Sequence, residues 1–392
     1  SYQLVWTVKS QTETLAQGQI KLDLSAGKTV LVDIPFILND NVSSEVILEL
    51  SAQTKTDQVW ADKGFEIAYQ QFILSPYRYQ HEVKAHGNTV QVTKNPDHIV
   101  VKANETKIKI DNITGEITSY QVADQELLVE PLAPYFWKPV NNNQARNKFV
   151  ERMAPWLNAA AYRQVSSVKV NQLSENLVEV KVVARLIANN ALYHLTYRIN
   201  GIGNIQVTGD YTPDPKRIQY KYMPKFGMKM VLEKSLSQID WYGRGPFENY
   251  PDRKTAAKIG HYQKTLATFQ VPYISATDST NRSDVREASF ANQKVKLRVL
   301  GMQPFNFRAW PYNESDLYSF NTAKVKNLIT DQLRRKHYYD LPDRGYINVN
   351  LDSAIHGVGG DNSWGGKTMQ KYHVRADKPL SFSFVLKASR VD

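Results

Sequence analysis

The chain has 392 residues, 42% hydrophobic and 22% charged, with a formal net charge of +11 and no cysteine. That length predicts two or three domains, and no run approaches the roughly 18 apolar residues of a membrane-spanning helix. The absence of cysteine excludes disulfides, thiolate metal sites and a cysteine nucleophile, and fits a reducing, cytoplasmic setting.

The opening stretch SYQLVWTVKS lacks both an initiator Met and the basic and apolar regions of a signal peptide. It reads as a strand, which predicts a piece or processed chain that starts inside a domain. IKLDL at Ile20–Leu24, SAGK and TVLVDI at Thr29–Ile34 read as strand, turn and strand. Through Ser75 there are five Lys against nine Asp or Glu, a balance of −4 that leaves +15 for the remainder. This shift predicts a domain boundary near Pro76, with a small β-sandwich over 1–75 and a large antiparallel β-domain over 76–392. Beyond the boundary Lys and Arg are scattered along alternating strands, the pattern of a solvated face rather than a nucleic-acid groove.

Period-two alternation continues in VILEL from Val46, KIKID from Lys107 with the NITGE turn, VEVKVVARL from Val178 and ALYHLTYRI from Ala191. It returns in VKLRVL from Val295, YINVNL from Tyr346 and LSFSFVL from Leu380. The fold class is therefore mainly β. One exception is Ser315–Lys336, where Val325, Leu328, Ile329 and Leu333 fall at near-helical spacing and predict a short surface helix.

Four segments carry candidate chemistry. PYFWKPVNNNQARN, from Pro134, sets Asn141, Asn142 and Asn143 after an aromatic and proline stretch, and reads as a polar mobile loop, either a gate over a site or an ordinary connection. WYGRGPFENYPDR, from Trp241, holds Glu248 and Asp252, but Arg253 is the natural partner of either acid, so local ion pairs outweigh acid/base catalysis. His337 and His356 stand apart from any HxH or HExxH pair and read as structural. HGVGGDNSWGG, His356–Gly366, packs five glycines around Trp364. It lacks the Lys of a P-loop and the spacing of a Rossmann fingerprint, and no helix pattern follows. Its glycines therefore point to close backbone approach that fixes the pose of Trp364. The indole is either a core residue or a face for the apolar side of a sugar ring, with Asp361, Asn362 and Ser363 near for hydroxyl groups.

Together, GRGPFENYPDR, PVNNNQ, HGVGGDNSWG and NRSDVRE at Asn281–Glu287 resemble, in order and spacing, the carboxy-terminal part of the LacZ-type β-galactosidases of glycoside hydrolase family 2. The resemblance covers nearly the whole chain. It implies that 1–75 is part of an immunoglobulin-like β-sandwich and 76–392 the large, galactose-mutarotase-like terminal β-sandwich. It further implies a retaining hydrolase of terminal β-galactosides such as lactose. The family's two catalytic glutamates and its magnesium and sodium ligands lie in a barrel and other domains that precede this segment, so no catalytic or metal residue is assigned here. By the same resemblance Trp364 is the substrate-stacking residue and Asn141–Asn147 the mobile loop at the active-site mouth. The implied partners are the upstream barrel segment, a galactoside and further copies in a homo-oligomer, with neither nucleic acid nor membrane. PVNNNQAR departs from many relatives, lacking their acidic residue before the asparagines and a glycine after them, and Tyr318–His337 is longer than usual. The alternative is a stand-alone carbohydrate-binding β-sandwich protein.

Overall fold

A computed structural model describes residues 2–22, 24–37, 44–317 and 337–391. These form two compact units, Ser1–Gln80 and His81–Asp392.

The first unit is a four-stranded antiparallel sheet of β1 (Tyr2–Ser10), β2 (Thr14–Lys21), β3 (Val46–Thr54) and β4 (Glu66–Ser75), ordered β2-β1-β3-β4. Alternation along β1 turns Trp6 and Val8 inward, where they meet Val46 and Leu48 of β3. Ile34 and Phe36 pack against this small core. The strand expected at Thr29–Ile34 does not form: those residues join no sheet, and Leu31 is 94% exposed. Alternation makes a strand only where a neighbour supplies the ladder, and among the described residues β2 pairs with β1 alone.

In the second unit one antiparallel sheet of 17 described strands curls back on itself. Lys225–Glu233 pairs with both Leu128–Tyr135 and Tyr346–Ile355, and the latter with Val295–Trp310. Val295–Trp310 also pairs with Leu380–Arg390, which pairs with Ile205–Thr212. The alternating segments from Lys107, Val178, Ala191, Val295, Tyr346 and Leu380 all lie in strands. Leu192–Asn200 shows why: Tyr193, Leu195, Tyr197 and Ile199 are buried on one face while His194 faces out. Lys225–Glu233 is instead buried at seven of its nine positions, as a strand covered on both faces is, and it carries Lys225 inward with its apolar residues. Phe136, Trp156, Tyr193, Tyr211 and Phe226 form a contiguous aromatic group within the core. Of the helix expected at Ser315–Lys336, the four apolar positions lie outside the described residues, and Glu314–Leu317 is a 3-10 turn.

Candidate functional site

The asparagine run begins a helix. Asn141 is the N-cap of α1 (Asn142–Arg146): its Oδ1 accepts from the Gln144 amide at 2.9 Å, and Gln144 Oε1 accepts from the Asn141 amide at 3.2 Å. This reciprocal pair satisfies two amides that a helix start leaves open. The expectation of an irregular loop is therefore corrected at Asn142 and Asn143, which lie in the first turn. A second short helix, α2 (Phe149–Met153), follows and buries Phe149, Val150 and Met153.

The turn is bound to the glycine-rich segment more than 200 positions away. Asn141 Nδ2 donates to the Val358 carbonyl at 2.7 Å, and Gln144 Nε2 to the Gly357 carbonyl at 3.0 Å. Asn143 bridges Trp364, donating to the Asn362 carbonyl at 2.6 Å and accepting from the Gly365 amide at 3.2 Å. Asn142 is exposed in the same turn. Within the loop, Asn362 Oδ1 accepts from the amides of Trp364 (2.8 Å) and Gly366 (3.2 Å), so Asn362 is engaged, while Asp361 and Ser363 stay exposed. Gly365 has φ +103°, a conformation that favours glycine.

Trp364 stands at the tip, 79% exposed, which rules out the core-residue reading. The Arg146 guanidinium lies 5.0 Å from its ring centroid, a stacking contact that backs one face of the indole.

Under this assembly runs a chain of buried charges that the sequence did not reveal. Lys138 Nζ pairs with Asp278 (2.9 Å), Asp278 with Arg308 (2.8 Å), Arg308 with Asp352 (3.2 Å) and Asp352 with Lys225 (2.8 Å), all five side chains fully buried. Lys225 also donates to Asn350, and Tyr135 to the buried Glu314 at 2.7 Å. Burial lowers the pKa of both lysines, Lys225 to about 8, with the neighbouring aspartates opposing the shift. Burial likewise raises that of Glu314, against Lys225 and Arg308. Lys138 also donates to Gln144 Oε1 at 2.9 Å, so the network reaches the base of both loops.

The remaining candidates are structural. Glu248 accepts from Arg253 (2.5 Å), from the Thr280 amide (2.7 Å) and from the Tyr273 hydroxyl. Asp252 accepts from the amides of Val358 (3.1 Å) and Gly359 (2.6 Å) rather than from Arg253. NRSDVRE packs on the same turn through Asn281 to the Asn249 carbonyl (2.7 Å) and Asp284 to Arg244 (2.6 Å). His337 faces the Ile274 carbonyl (3.2 Å) and stacks on Tyr339. His356 is buried, donates through Nδ1 to the Gly357 carbonyl (2.9 Å) and stacks on His373 with centroids 4.4 Å apart. Burial lowers its pKa to about 3, so it stays neutral. The site thus offers a fixed aromatic face and backbone dipoles, with Glu248 and Asp252 engaged by protein donors.

The family model described as Beta galactosidase small chain matches residues 102–386, and that of Beta-galactosidase, domain 4, matches residues 1–75. A β-galactosidase of Priestia megaterium is 28% identical over 390 residues, covering 99% of this chain and 36% of the relative. One of Halalkalibacterium halodurans is 24% identical, covering 88% and 32%. The chain thus spans about a third of the length of the curated relatives it matches. A solved galactose 1-epimerase from Lactobacillus acidophilus aligns with a TM-score of 0.44 at 8% identity, over 77% of this chain and 98% of that one. With a family model matched across well over half of its residues, the chain belongs to the β-galactosidase small-chain family.

Proposed function

We propose that this chain is the non-catalytic carboxy-terminal portion of a retaining β-galactosidase. In this reading it lends one wall, with Trp364 as the stacking face, to an active site whose two catalytic glutamates lie in a preceding barrel segment. The first unit is then part of the immunoglobulin-like domain that joins them. The observation that carries the reading is Trp364 itself: an indole held out in water, braced by Arg146 behind it and by Asn143 on either side. Covering such a face returns about 1.5–3 kcal/mol of burial free energy, and the CH face of a galactose ring has the shape to do it. Asn141 and Asn143 serve as the scaffold of that mount at the site's edge, with Asn142 exposed between them.

The chain alone is expected to be inactive. Retention needs two carboxyl groups about 5–5.5 Å apart across a glycosidic bond, and Glu248 and Asp252 are both committed to protein donors. Magnesium and sodium belong, in this account, to the preceding segment. Among the described residues no group of three or more His, Asp or Glu is placed to hold a metal ion.

The test is Trp364→Ala in an enzyme reassembled from this chain and the preceding segment. KM for lactose should rise by about 10- to 100-fold, with kcat less affected. An unchanged KM would remove the stacking role, and tight lactose binding by the chain alone would favour a stand-alone lectin.

A further inference from the structure

Asp252 is the penultimate residue of the ENYPDR turn, yet its carboxylate passes over the adjacent Arg253, which is taken by Glu248. It reaches instead across 106 positions of sequence to the start of the Trp364 loop. Oδ1 accepts from the Val358 amide at 3.1 Å and Oδ2 from the Gly359 amide at 2.6 Å. Bonds from amides to a carboxylate are charge-assisted and stronger than neutral ones. The Val358 carbonyl is held from the other side by Asn141, so the loop's entry is gripped through both its donor and its acceptor. Close approach is part of the design: a Cβ on Gly357 would stand 2.6 Å from Asp252 Oδ2. The far end of the loop is tied in too, with Thr368 Oγ1 donating to the carbonyls of Gly357 (3.1 Å) and Gly359 (2.9 Å).

We propose that Asp252 is a positioning residue for Trp364: its carboxylate fixes the entry of the glycine-rich loop, and thereby the angle at which the indole meets the apolar face of a pyranose ring. The link to the sugar rests on the stacking role given to Trp364 above, whereas the grip on the loop stands on the geometry alone. Asp252 bonds outside the sheet ladder, to a segment that belongs to no strand. Its removal should therefore free the loop and leave the strands in place.

The test replaces all seven tryptophans by 5-fluorotryptophan in the 392-residue chain and follows their fluorine resonances, with the Trp364 line assigned through Trp364→Phe. In Asp252→Ala that line should narrow and move towards free 5-fluorotryptophan while the other six stay. Asp252→Asn, which keeps one acceptor oxygen, should fall between. A Trp364 line that stays put while the fold is intact overturns the proposal. Should Asp252→Ala lose all native lines, Asp252→Asn decides by the same criterion. In the reassembled enzyme Asp252→Ala should raise KM by about tenfold with kcat less affected. The double variant with Trp364→Ala should then have no higher KM than Trp364→Ala alone, and effects that multiply would contradict positioning through Trp364. If Trp364→Ala leaves KM unchanged, the stacking role fails, and the fluorine line still decides whether Asp252 holds the loop.

Discussion

Arg308 joins two aspartates in a place fully buried from solvent. Its guanidinium takes Asp278 with one arm and Asp352 with the other, and each aspartate takes a lysine on its far side. Desolvating five charges is costly, so the chain is weak evidence of net stabilisation, but removing its middle strips each buried aspartate of one of its two cationic partners. Arg308→Met should therefore cost about 3–5 kcal/mol, read as a lower denaturant midpoint for the large unit. A midpoint within experimental error of the parent would mean that the network carries no such charge balance. None of this was legible in the sequence. Lys138 sits among Phe136, Trp137, Pro139 and Val140, and nothing local says that a lysine in an aromatic run is matched to an aspartate 140 positions on. Trp364 was half legible: its glycine setting suggested presentation, but only the structure separated an exposed indole from a core one.

At the scale of elements, the strands were read well because alternation is a local signal. VEVKVVARL, ALYHLTYRI and YINVNL lie where their pattern put them. Thr29–Ile34 had the same pattern without a partner strand, and pairing is not a local property. The asparagine run reads as a loop because three asparagines after an aromatic and proline stretch do not suit a strand interior, although Asn141 followed three positions later by Gln144 is the spacing of a capping box. The glycine-rich loop hangs from the stacked pair His356 and His373, and this sets a pH dependence. The unfolded imidazole of His356 takes up a proton near pH 6.5, the folded one only near about 3, so in between the unfolded chain binds more protons. Stability from His356 is thus complete above 6.5 and drains as pH falls towards 3. Burial also lowers His373. Measured against His356→Gln, the parent's stability advantage should shrink by about 1.4 kcal/mol per pH unit below 6.5. An advantage that stays flat on acidification to about pH 5 would contradict it.

At the scale of the whole molecule, composition pointed to a globular chain, period-two alternation to a mainly β one, and the sequence motifs to its kinship. What joins those motifs was not visible: ENYPDR and NRSDVRE brace one turn, and ENYPDR reaches on to the glycine-rich segment, to which the asparagine run is also bound. That arrangement supplies a mount for one aromatic face, with Glu248 and Asp252 engaged by the protein. The central claim is that this chain contributes a binding wall to chemistry performed elsewhere. Its most direct test is hydrolysis of a chromogenic galactoside by the purified 392-residue chain, alone and after mixing with the preceding segment of the same enzyme. The account predicts no turnover from the chain alone and activity on mixing. Hydrolysis proportional to the concentration of the chain alone would contradict it.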